Sequence, residues 1–155
     1  MSGLFAVHKL NRRVVLLEKC KMMVNAIHTE IEYLLLPSTE IIDLLALRKD
    51  FQDLKFISYC NQKIKSGIDF KSAWKEAVSQ YAVDFYLNKS DIEILNSFSE
   101  NFGITDSYGQ ISNCKLFEEK IESALKDAKK NREKYSKLYG SLGLLSGLCC
   151  VIVLI

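Results

Sequence analysis

Apolar residues recur at three- and four-residue intervals along most of this chain, the spacing of amphipathic helices rather than strands. A first helix carries its stripe at Leu10, Val14, Leu17, Val24, Ile27, Ile31 and Leu34, interrupted only by Lys21 and closed by Pro37. Ser38 or Thr39 then opens a short helix with Ile41, Leu44 and Leu45 inward. After a break near Asp50, a third helix carries Phe51, Leu54, Ile57 and Ile64 and ends at Gly67, placed just past the last turn. Asp69 caps a fourth, whose Phe70, Ala73, Trp74, Ala77, Val78 and Tyr81 form a clean amphipathic face. The Ser90-x-x-Glu93 spacing predicts a capping box opening a fifth helix, with Ile92, Leu95, Phe98 and Phe102 inward and Gly103 as its stop. With Pro37 the sole proline and few glycines, the pattern predicts an all-α helical bundle.

The last element changes character along its length. From Tyr108 an apolar stripe (Cys114, Phe117, Ile121, Ala124, Leu125, Ala128) persists until residues 129–133, where every side chain is polar. A helix loses its apolar face where it leaves its bundle. Beyond lie residues 138–155, LYGSLGLLSGLCCVIVLI, without a charge. About 17 apolar residues is the lower bound for crossing a hydrocarbon core of roughly 30 Å, and this segment meets it. A buried core helix is the competing reading, but a surface helix needs a polar face and this one has none. The expected organisation is a juxtamembrane segment over residues 1–13, a bundle over 14–137 and a transmembrane helix over 138–155 that continues the last long helix. Lys134, Tyr135, Lys137 and Tyr139 sit where snorkelling lysines and interfacial aromatics belong. Gly143 and Gly147 form a GxxxG pair with Gly140 nearby, a small face that lets membrane helices approach closely.

Charge sharpens this picture. Residues 14–125 hold 12 Lys/Arg against 17 Asp/Glu, whereas residues 126–155 hold six basic and two acidic side chains. Lys9, Arg12 and Arg13 add a second basic cluster at the front. Basic residues beside an apolar segment mark cytosolic flanks, and an acidic body speaks against nucleic acid as a partner. The five cysteines are odd in number, lack a CxxC pair and include Cys149 and Cys150 of the apolar tail, which points to a reducing compartment. The first apolar run, residues 4–7, is too short for a secretory h-region. His8 and His28 have no metal-ligand spacing around them, adjacent carboxylates such as Glu118 and Glu119 diverge around a helix axis, and no nucleotide-binding or hydrolase motif occurs. Neither an enzyme nor a cofactor or small-molecule site is indicated, and Trp74 reads as core.

Four segments together resemble the stage III sporulation protein AB family of endospore-forming bacteria. They are Ser72-Ala73-Trp74-Lys75-Glu76-Ala77, Ser90-Asp91 with Leu95, Phe102-Gly103-Ile104-Thr105-Asp106 with Gly109-Gln110, and Lys137-Leu138-Tyr139-Gly140-Ser141-Leu142-Gly143 with Gly147-Leu148. The resemblance covers essentially the whole chain, and the Gly103 to Gln110 element and the glycine-bearing tail are its specific parts. It implies a non-enzymatic membrane scaffold of the secretion-like channel complex between mother cell and forespore. The implied location is the mother-cell membrane, with the bundle in the cytosol and a fold similar to the cytoplasmic domains of the type II secretion platform protein. The implied partners are the bilayer, other membrane subunits of the complex and its cytosolic ATPase. Family members normally begin with a second membrane helix, and two readings stay open: residues 3–7 are its last turn, with His8, Lys9, Arg12 and Arg13 as a cytosolic flank, or this version has one anchor. A tail-anchored adaptor unrelated to sporulation is the rival reading.

Overall fold

The computed structural model describes residues 2–34, 36–102 and 107–154. Their elements are α1 (Ser2–Leu34), α2 (Ser38–Leu47), a 3-10 turn at Lys49–Phe51, α3 (Lys55–Lys65), α4 (Phe70–Tyr81), α5 (Lys89–Asn101) and α6 (Ser107–Leu154), with no strand among the described residues. The all-α reading holds, and so does the single last helix: α6 is unbroken over 48 residues, about 72 Å at 1.5 Å per residue.

Two long helices make the frame. α1 and α6 run antiparallel, with Lys21 bonded to Glu122 at 2.8 Å, Lys129 to Glu18 at 3.2 Å and Arg132 reaching Asn11. The α1 positions Val14, Leu17, Val24, Ile27 and Ile31 are buried as the periodicity requires, joined by Leu16, Cys20 and Met23 on a wider face. Leu34 is exposed, because the last turn of α1 lies outside the packed region. α2 to α5 complete the bundle, α3 against α4, α4 against α5 and α5 against α6. At their meeting point Trp74 is fully buried and its indole N–H donates to the Leu95 carbonyl at 2.8 Å. Phe56, Phe70, Phe98, Phe102 and Phe117 extend this cluster with ring centroids 4.8 to 5.5 Å apart, the spacing of offset and edge-on aromatic pairs.

Three local expectations change. In α2 the buried set is Ile41, Ile42 and Leu45, and Leu44 faces outward. Two apolar pairs in succession fit several helical faces, and packing on α3 selects among them. The same helix does open at Ser38, from Pro37 in extended backbone. The capping box of α5 is Asn88 with Asp91, not Ser90 with Glu93: Asp91 N–H donates to Asn88 Oδ1 at 2.8 Å and Asn88 N–H to Asp91 Oδ2 at 3.2 Å. The third helix also begins later than its stripe, with Phe51 and Leu54 buried in the turn before Lys55. Gly67 takes the expected role. It has φ +101°, its N–H donates to Ile64 O at 3.0 Å and that of Ile68 to Lys63 O at 3.1 Å, the paired bonds of a Schellman stop. Asp69 caps α4 through the Ser72 N–H at 3.0 Å.

Candidate functional site

The feature that sets this bundle apart is the end from which α6 departs. The α6 stripe is buried through Ala128, and every residue from 140 to 154 is exposed. Among the described residues, α6 is the one helix long and apolar enough to cross a membrane, and none of its apolar stretch is covered by the rest of the protein. Gly140, Gly143 and Gly147 lie on this stretch with open space where a Cβ would stand. The residues expected at a membrane interface precede it: the Tyr135 and Tyr139 rings stack at 6.3 Å, and Lys137 pairs with Glu133 at 3.2 Å one turn back.

The antiparallel course of α1 brings its first turns to the same end. Arg13, which the sequence places in a basic flank, is only 8% exposed. Its Nε donates to Asp91 Oδ2 at 2.6 Å and its Nη2 to Asp91 Oδ1 at 3.0 Å. This two-pronged pair ties α1 to the start of α5, and the carboxylate that caps α5 is the one that neutralises the guanidinium. Lys9 lies over the Phe5 ring at 4.5 Å and the Tyr86 ring at 5.4 Å, and Phe5 meets Tyr86 edge-on at 6.3 Å. Arg12 lies over Phe85 at 5.1 Å. A cavity of about 350 Å³ lined by Ala6, Lys9, Leu10, Arg13, Tyr86 and Tyr135 joins α1, the α4–α5 loop and α6 at one level. The sequence reading missed this cluster. Its one signal was the Phe85-Tyr86 pair in a short connection, where no helical face requires aromatics.

The other marked residues are structural or lie elsewhere. Trp74 serves the core. Gly103 and Asp106 lie outside the described residues, while Gly109 and Gln110 stand half-buried in the first turn of α6. The outer face of α4 is internally engaged: Lys71 and Lys75 both pair with Glu100 of α5, holding its carboxyl below the usual range, and Glu76 accepts the Tyr59 hydroxyl at 2.9 Å. The Cys20, Cys60 and Cys114 thiols are pushed up to about 12 by burial, which makes them poor nucleophiles. His28 sits beside Glu32 at 3.6 Å on the outside of α1, and no group of three potential metal ligands occurs among the described residues.

Known proteins agree with this architecture. A curated relative, stage III sporulation protein AB of Bacillus subtilis (strain 168), is 31% identical over 99 residues, which span 64% of this chain and 58% of the relative's length. A solved structure of a stage III sporulation protein AB (SpoIIIAB) superposes with a TM-score of 0.63 at 23% identity, covering 79% of this chain and 98% of that one, a likeness of fold. These relatives are named for sporulation and not for an enzymatic activity, which supports a role in sporulation. The match to the family description itself runs over residues 1–155, and the chain belongs to the stage III sporulation protein AB family.

Proposed function

We propose that this protein is a non-enzymatic platform of the secretion-like channel complex between mother cell and forespore. α6 crosses the mother-cell membrane, the bundle stands in the cytosol, and it links a cytosolic ATPase to other membrane subunits. One observation carries the reading. The helix that closes the bundle core continues without a break into an uncovered apolar stretch, so a load on the bundle passes directly to the bilayer segment. The family's sporulation role supplies the setting. A complex working across a membrane needs an energy source, and in this reading the ATPase supplies it; the buried thiols of the bundle are poor nucleophiles.

The acidic body, with 12 basic and 17 acidic residues over 14–125, favours a basic surface on the ATPase. The test is the full chain in bilayer nanodiscs against the ATPase of the same gene cluster. Binding is expected at micromolar concentrations and should weaken with salt. No binding at concentrations on the order of tens of micromolar and low ionic strength overturns the platform reading. The outer face of α4 is a poor place for charge-reversal probes, because Lys71, Lys75 and Glu76 already hold neighbouring helices together.

A further inference from the structure

Aromatic and basic side chains that the membrane helix does not use gather around its point of exit. Val83 and Phe5 are exposed, and the Phe5 ring leans on Tyr86. Tyr86 holds φ at +55°, a region that non-glycine residues seldom occupy, and does so in the loop between α4 and α5. Because Tyr86 and Tyr135 line one cavity, they stand at a common height. Tyr135 is three residues before Leu138, the first of the uncharged stretch, or about 4.5 Å along the helix axis.

We propose that this end of the bundle is a second membrane contact: the α4–α5 loop, with Phe5, Lys9 and Arg12 of α1 beside it, rests on the headgroup layer of an anionic phospholipid bilayer. The inference depends on α6 being the anchor, which fixes which end of the bundle meets lipid. Charge complementarity selects the occupant. Lys9, Arg12, Lys55, Lys130, Lys134 and Lys137 ring this end and outnumber the acids beside them, which are Asp53, Asp84, Asp127 and the Lys137-paired Glu133. The remainder of the body is net acidic, so this is the face that an anionic surface attracts. The charged heads of Lys9 and Arg12 lie over aromatic rings, an arrangement in which a cation and a ring can share the boundary between headgroup and acyl chain. The two contacts together set the tilt of the bundle, which the polar stretch of α6 at residues 129–133 alone leaves open.

The test uses the full chain in nanodiscs, with Cys149→Ala and Cys150→Ala leaving three buried thiols. An environment-sensitive dye is placed singly at Val83→Cys, at Gln62→Cys near the end of α3, or at Leu148→Cys in the apolar stretch. In discs containing phosphatidylglycerol the Leu148 dye should read hydrocarbon, the Val83 dye the headgroup boundary and the Gln62 dye water. In discs of phosphatidylcholine alone the Val83 signal should move toward water while Leu148 stays put. Tyr86→Gly suits the positive φ and removes the ring, so it should return Val83 toward water without moving Leu148. A Val83 dye reading water in both discs, with Leu148 in hydrocarbon, overturns the docking and hands the face to a protein partner while sparing the anchor. Equal Val83 signals in both discs overturn the selection of anionic lipid, and an unchanged signal in Tyr86→Gly overturns the role of the loop. A Leu148 dye reading water overturns the anchor and the docking with it.

Discussion

The most consequential residue pair in the bundle is Arg13 with Asp91. Its geometry is two-pronged, at 2.6 and 3.0 Å, and both side chains are nearly out of solvent. Desolvating two charges is costly, so such a pair adds little net stability, but leaving one member alone is severe. Asp91→Ala should destabilise the domain by about 3–5 kcal/mol, since it strands the guanidinium and also removes the N3 side of the α5 capping box. Arg13→Met with Asp91→Leu should recover a large part of that loss. Chemical denaturation of the two variants in the same detergent checks both statements, and a double variant no better than Asp91→Ala would show that the cap rather than the charge dominates. The pair also marks the limit of what single residues reveal in a sequence. Trp74 announces a core position by its place on an amphipathic face, whereas two charged residues 78 positions apart carry no local sign of each other.

At the scale of elements, periodicity was sufficient wherever one face alone was apolar. The α4 and α6 stripes are buried as spaced, and the Gly67 and Asp69 ends need only local chemistry. It failed where local patterns were degenerate, as in the twin apolar pairs of α2 and the overlapping polar triplets before α5. The exit end was legible only in part, since the uncharged apolar stretch of α6 follows from composition but the α1 and loop aromatics meet through tertiary folding. The α4–α5 clamp yields a pH prediction. Glu100 is held below its ordinary value of 4.5 first by hydrogen bonds from Lys71 and then from Lys75. A depressed folded-state value means that its contribution is complete above 4.5 and fades as pH falls through the lower folded value. Lys21 is raised above 10.5, mainly by its hydrogen bond with Glu122, so that link persists below 10.5 and fades at higher pH. Between the two the contributions of both pairs should stay constant, and Glu100→Gln should reduce the acid-side slope of melting temperature against pH. Cutting the chain after Lys137 is the complementary test of α6. Its buried stripe ends at Ala128, so the shortened protein should remain helical and cooperative in thermal melting. Loss of the transition would place the apolar stretch in the core.

At the scale of the whole molecule, the start of α1 and the exit of α6 lie at one end, and both are basic. The antiparallel pairing of Asn11 with Arg132 and of Glu18 with Lys129 enforces that coincidence, so the two basic clusters stand together rather than at opposed ends. If α6 is the anchor, as proposed, the positive-inside rule holds this combined cluster, and the bundle packed against it, on the cytosolic side. Trypsin supplied outside intact protoplasts should leave residues 14–125 uncut, while the same protease on inside-out vesicles should cleave at exposed lysines such as Lys55. Immunoblotting with an N-terminal tag distinguishes the two. Cleavage in intact protoplasts would reverse the orientation and, with it, remove the bundle from any cytosolic ATPase.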